Sequence, residues 1–152
     1  MTVPVEPAQL ASLQDQIDRG FDIQLAENPV VAAVARDVDG PRTWFVRLIG
    51  EERDPFTIRY RLRQRTLHYE AYFMPAPEEN EAQLFRHLLV RNQKLYGAAF
   101  AVGEEGALYL VGQLPNALVN DDELDRVLGS MYQWMEQFFW PAMRIGFASK
   151  FA

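Results

Sequence analysis

Two alternating runs, FTIRYRLR from Phe56 and TLHYEAYF from Thr66, constrain the fold of this chain more than any other stretch. A period of two sends successive side chains to opposite faces of a strand, and a one-residue slip in pairing would turn every apolar side chain the wrong way. With Gln64-Arg65 as a two-residue loop, Leu62 faces Leu67, Tyr60 faces Tyr69, Ile58 faces Ala71 and Phe56 faces Phe73. That side has to be a core face. The same register sets Arg61 opposite His68 and Arg59 opposite Glu70 on the other side, and an exposed ion pair there is worth no more than about 1 kcal/mol.

MPAPEEN breaks the pattern, because Pro75 and Pro77 cannot donate to a ladder. Pro77 suits the first position of a helix, and Glu78, Glu79 and Glu81 suit the positive end of its dipole. Leu84, Leu88, Leu89 and Leu95, with Phe85 beside them, form an apolar stripe, so the spacing predicts a helix to about Tyr96 closed by Gly97. AAFAVGEEGALYLVGQ reads as a hairpin, and a turn centred on Glu104-Glu105 pairs Phe100 with Tyr109 and Val102 with Ala107. Strand, helix and hairpin together occupy Leu67 to Gln113. No residue in that stretch forms a recognisable catalytic or metal-binding constellation.

Around this centre the remaining elements follow from their punctuation. Pro7 opens a helix whose Leu10, Leu13 and Ile17 recur at helical spacing until Gly20 closes it, and residues 21–28 form a connection without a period. Val30 to Arg36 reads as a strand, turned by Asp39-Gly40 into a second at Thr43 to Ile49, with GEERDP looping to Phe56. Near the end, Asn120 is a helix N-cap with Glu123 three residues on. Leu124, Val127, Leu128, Met131, Met135 and Phe138 then mark one helix face up to Pro141, which should end or kink it. The order α-β-β-β-β-α-β-β-α predicts an α+β fold in which helices cover one face of an antiparallel sheet. The expectation is a single domain over 1–152, with residues 1–28 an N-terminal helix and connection and 30–152 the sheet and helix core.

Composition narrows the function classes. The absence of cysteine excludes disulfides, thiolate catalysis and Cys-ligated zinc. A net charge of -6 argues against a nucleic-acid partner, and no apolar run is long enough for a membrane helix. MTVPVEPAQL has neither the basic start nor the apolar core of a secretory signal, which fits a cytoplasmic location.

The run QRTLHYEAYFMPAPEENEAQLFRHLLVRNQKLYGAAFAVGEEGALYLVGQLP, followed by DELDRVLGSMYQWMEQFFWPAMRIGFASKF, resembles the bacterial YbjN-type domain family in its actinobacterial form. The likeness covers about Thr43 to Phe151 and is most specific at PAPEEN, LLVRNQKLYG and the terminal IGFAS. It implies the type III secretion chaperone-like fold and a dimer-prone module acting as a chaperone, adaptor or regulator. The simplest form of that fold lacks the strand at Val30 to Arg36.

His68 and Glu70 share a strand face, yet spacing supplies no third ligand or nucleophile, so a polar sheet surface is the favoured reading; His87 is plainer still. Arg59, Arg61 and Arg63 form a basic stripe that by itself reads as a solvated face. The period, however, adds Phe45, Ile49 and Tyr72 to the side carrying Arg47, His68 and Glu70, and a mixed apolar and basic face points to a partner. The candidate partner-binding residues are therefore Phe45, Arg47, Arg59, Arg61, His68, Glu70 and Tyr72. Tyr132, Trp134, Phe139 and Trp140 lie partly off the last helix's stripe, so that helix is either wrapped on several sides or forms a dimer interface. The leading expectation is a noncatalytic protein- or peptide-binding homodimer without cofactor or metal. The alternative is a small-molecule-binding regulator or weak enzyme with a pocket under the C-terminal helix.

Overall fold

Phe56–Leu62 and Thr66–Met74 pair antiparallel in the register their side chains demand, with Ile58 opposite Ala71, Tyr60 opposite Tyr69 and Leu62 opposite Leu67. The computed structural model describes residues 3–152. In chain order it has α1 (Pro7–Glu27), β1 (Val31–Asp37), β2 (Thr43–Leu48), β3 (Phe56–Leu62), β4 (Thr66–Met74), α2 (Glu81–Asn92), β5 (Ala98–Val102), β6 (Leu108–Pro115) and α3 (Asp121–Gly146). Short 3-10 turns follow β6 and α3. The strands form one sheet in the order β1-β2-β3-β4-β6-β5, antiparallel throughout. The β5–β6 hairpin therefore folds back to lay its second strand, not its first, beside β4.

One sheet face carries the core. Trp44, Val46 and Leu48 of β2, Ile58 and Tyr60 of β3, Tyr69 and Phe73 of β4 and Leu110 of β6 are buried beneath the helices. They meet Ile17 and Phe21 of α1, Leu84 and Leu88 of α2, and Leu124, Leu128 and Met135 of α3. Each such large apolar side chain contributes on the order of 1.5–3 kcal/mol by leaving water. Polar contacts fix α1 in place: the Trp44 indole donates to Asp18 at 2.7 Å, Arg42 donates to Gln14 at 2.7 Å, and Gln24 donates to Asp125 of α3 at 2.8 Å.

Several boundaries differ from the sequence-based expectation, each for a physical reason. Helix α1 runs through Gly20 to Glu27. Gly20 is an approach point: a Cβ there would crowd Leu124 and Asp121 of α3, so the missing side chain lets two helices meet closely. Helix α2 begins at Glu81, not Pro77, because the backbone N–H groups of Glu78 and Glu79 donate to the carbonyl of Gly146 and hold PAPEE outside the helix. Asn80 then takes the left-handed region at φ 55°, with its side-chain amide donating to Ile145. The same helix stops at Asn92 before reaching Tyr96. There the Asn92 amide accepts from the Phe100 backbone N–H at 2.7 Å and donates to its carbonyl at 3.2 Å.

The second hairpin is also shifted by one residue, pairing Phe100 with Leu110 and Val102 with Leu108. Gly106 at φ 81° adds a left-handed residue to the turn, so Leu108 and Leu110 enter the core and Tyr109 leaves it. Helix α3 starts as expected, with the Asn120 side chain accepting from the Glu123 N–H at 2.8 Å. It continues past Pro141 to Gly146, the proline ring lying on the exposed side.

Candidate functional site

The face of the sheet opposite the helices is built by the residues that alternate with the core. From β2 it receives Phe45 and Arg47, from β3 Arg59 and Arg61, from β4 His68, Glu70 and Tyr72, and from β6 Tyr109 and Val111. The ladder aligns them across strands: Phe45 lies beside Arg59, Arg59 beside Glu70 and Glu70 beside Val111, while Arg61 lies between Thr43 and His68. All seven residues expected from the sequence to bind a partner share this face. Phe45 at 38% exposure, Tyr72 at 45% and Ile49 at 49%, just beyond β2, make it partly apolar.

Charge is unevenly placed on it. Arg59 forms an ion pair with Glu70 at 2.7 Å, but with both side chains about 40% exposed the pair adds little stability. Arg61 and Arg63 have no carboxylate partner among the described residues. The Nε of Arg61 and the Oγ1 of its neighbour Thr43 are buried without a hydrogen-bond partner. Burial, then the guanidinium charges of Arg63 and Arg61, hold His68 below the ordinary imidazole pKa, while Glu70 partly opposes them. The Tyr72 hydroxyl is pushed up, mainly by burial, and its ring meets Tyr109 edge-on at 5.7 Å.

Two connected hollows mark the surface. A trough of about 550 Å³ runs over Ala101, Tyr109 and Val111 to the Gly103–Glu105 turn, and a polar bay of about 120 Å³ is lined by Arg61, Arg63 and His68; both are bordered by Arg59 and Glu70. The contribution of Tyr109 and Val111 was missed from sequence because the shifted hairpin register turned them inward. Their alternation with Leu108 and Leu110 was the available signal.

The aromatics of α3 have a different setting. Phe139 contacts Phe73 at 6.1 Å, lies under the Arg53 guanidinium at 4.3 Å and abuts Trp140 at 5.0 Å. The Trp140 indole donates to the Glu52 carbonyl, and its ring meets Phe151 at 5.9 Å. The Glu136 carboxylate accepts from the N–H groups of Glu51 at 2.5 Å and Glu52 at 3.1 Å, so the β2–β3 loop is tied down over this end of the helix. Tyr132 and Trp134 are half-buried against the core. Beneath α3, Leu124, Leu128, Met131 and Met135 fill the space against the sheet. Among the described residues, no three His, Asp or Glu side chains converge as a metal site would, and no helix is long and apolar enough to cross a membrane.

A family model described as a putative bacterial sensory transduction regulator, YbjN, matches residues 34–141. The chain belongs to the YbjN family. The match takes in the whole open face and all but the last turn and a half of α3. An uncharacterised protein of Mycobacterium tuberculosis is 34% identical over 109 residues, 72% of this chain and 60% of that one. One of Mycobacterium leprae is 34% identical over 111 residues, covering 73% and 60%. The chain thus spans about 60% of the length of these curated relatives. Among solved structures, a chain of the ExsC–ExsE complex superposes with a TM-score of 0.58 at 17% identity, covering 83% of this chain and 92% of that one. A chain of the HopA1–SchA chaperone–effector complex gives 0.56 at 17% identity, covering 87% and 95%. The fold of this YbjN domain is the type III secretion chaperone-like α+β fold.

Proposed function

We propose that this YbjN-family chain is a noncatalytic protein-binding module, chaperone-like or regulatory, that holds a segment of a partner protein on its open sheet face. The observation that carries this is the composition of that face. It lies opposite the core, yet Phe45, Ile49 and Tyr72 stand exposed on it among Arg47, Arg59 and Arg61. Aromatic residues beside arginine are the groups that dominate protein interfaces. The shared fold with a chain of a chaperone–effector complex supports the same reading. A photo-crosslinking amino acid at Tyr72 or Phe45 should give one discrete adduct in cells, and the same group at Arg19, exposed on α1, should not. Equal labelling from all three positions would count against the reading.

Self-association belongs to the proposal. Phe139 and Trp140 are occupied within the chain, whereas Leu89 at 64% exposure, Val90 at 46% and Val102 at 56% leave an apolar surface where α2 meets β5. Asn92 already occupies the backbone of Phe100, so a second copy would meet this surface through side chains, not by extending the sheet. Light scattering should show a dimer at tens of micromolar and a monomer for Leu89→Glu with Val102→Glu. A wild-type monomer would remove this part and leave the sheet-face reading standing.

A further inference from the structure

Arg61 and Arg63 are the unresolved feature of the open face. Arg59 has Glu70, but the only carboxylate in the bay cannot neutralise three guanidinium groups, and Arg61 keeps a buried donor without an acceptor. Buried donors in native proteins almost always find a partner, and a guanidinium fork matches a carboxylate better than any other side chain. The cluster also runs against the chain's own net charge of -6, so general solubility does not account for it.

The occupant's class follows from what surrounds the bay. Arg59, Glu70 and Val111 line both the bay and the larger trough, which is lined further on by Ala101, Val102 and Tyr109. Glu104 and Glu105 close the far end. A ligand anionic along its whole length, such as a nucleic acid, would meet those carboxylates and Glu70. An extended peptide with a localised acidic group at the bay and apolar residues in the trough meets Glu70 alone, which Arg59 already pairs.

We propose that the bay of Arg61, Arg63 and His68 is a carboxylate-binding subsite that receives an Asp or Glu side chain of an extended partner segment, the flanking apolar residues lying along Ala101, Val111 and Tyr109. This rests on the partner-binding reading of the open face and names the chemistry of what is bound. His68 reports occupancy. Its imidazole is depressed by burial and by the charges of Arg63 and Arg61, and a carboxylate set among them opposes those charges and moves its titration upward.

The test uses the full chain and two fluorescent peptides, one with a Glu-Glu pair followed by Phe, Ala and Leu, the other identical with Gln-Gln. The Glu peptide should bind, and Arg61→Gln or Arg63→Gln should each weaken it about ten-fold or more, the loss expected for one charge-assisted hydrogen bond. Arg63 is exposed beyond the end of β3, so its variant keeps the test independent of folding. NMR titration of His68 should shift upward with the Glu peptide and remain unchanged with the Gln peptide. Equal affinity for the two peptides, or indifference to both arginine variants, overturns the subsite. If that equal binding is abolished by Tyr72→Ala, the partner-binding face survives without it. Binding by neither peptide, an equal His68 shift with inorganic phosphate alone, or tighter binding of a single-stranded oligonucleotide through the same arginines would each overturn the peptide assignment.

Discussion

On β3, Ile58 and Tyr60 are fully buried under the helices, while Arg59 and Arg61, one residue away along the same strand, project from the opposite face and are half-buried. β4 repeats the arrangement with Leu67, Tyr69 and Ala71 inside and His68, Glu70 and Tyr72 outside. The inner face answers to one demand, close packing beneath three helices, and many apolar combinations would satisfy it. The outer face makes only local contacts, such as Tyr72 edge-on to Tyr109 and Arg59 paired with Glu70. Its exposed Phe45 and Tyr72 add an aggregation hazard that a solvated sheet avoids, which is what the proposed partner-binding role accounts for.

That contrast can be broken by substitution. The largest effect should come from the inner face: Tyr69→Ala or Leu67→Ala alone should cost about 2–5 kcal/mol in denaturant melts, through lost burial and the cavity left behind. For Tyr69 the loss includes the bond from its hydroxyl to the Gly97 carbonyl, 2.5 Å long. On the outer face, Arg59→Ala, Arg61→Ala and Tyr72→Ala together should shift stability by at most about 1–2 kcal/mol, yet abolish the adduct formed from a crosslinker at Phe45. A triple variant that melts like the inner-face variants would erase the distinction between the faces. Glu70→Gln should cost no more than about 1 kcal/mol. By freeing Arg59 it should tighten binding of the Glu peptide, and weaker binding would show that Glu70 contacts the partner itself.

The smallest effect is a pH dependence. His68 and His87 are both held below the ordinary value of 6.5, mainly by burial, so the unfolded chain takes up protons more readily than the folded one. Stability from these groups is complete above about pH 6.5 and is lost as pH falls through their folded values. His68→Gln should flatten that decline over the same window, as followed by thermal melts at stepped pH.

Where each residue had one plausible place, the architecture was legible in the sequence. The β3–β4 register could be written out pair by pair because a slip would bury Arg61 and expose Leu62. The assignment of Phe45, Arg47 and Tyr72 to the basic face came from the same period. Legibility failed where long-range contact overrode a local signal. Gly20 looks like a stop until α3 is seen pressing against it, and Pro77 looks like a helix start until the Gly146 carbonyl is seen accepting from the N–H groups of Glu78 and Glu79 just after it. The β5–β6 register failed because one left-handed glycine, Gly106, changes the turn by a residue and so moved Tyr109 and Val111 to the wrong side. The bay depended on that strand order as well, since β6 closes it.

The placement of β6 beside β4 also has a consequence during synthesis. β4 is complete at Met74, and its β3 partner has already been made, but its other edge waits for a strand that begins at Leu108 and ends at Pro115. At roughly 5–20 residues per second, the ribosome leaves that edge uncovered for about 2–8 s. During this interval the nascent chain carries an unpaired, aromatic-rich border of the kind that recruits other strands. A chain stalled between α2 and β5 should therefore stick to its neighbours, and extension through Pro115, which completes β6, should be enough to close the edge.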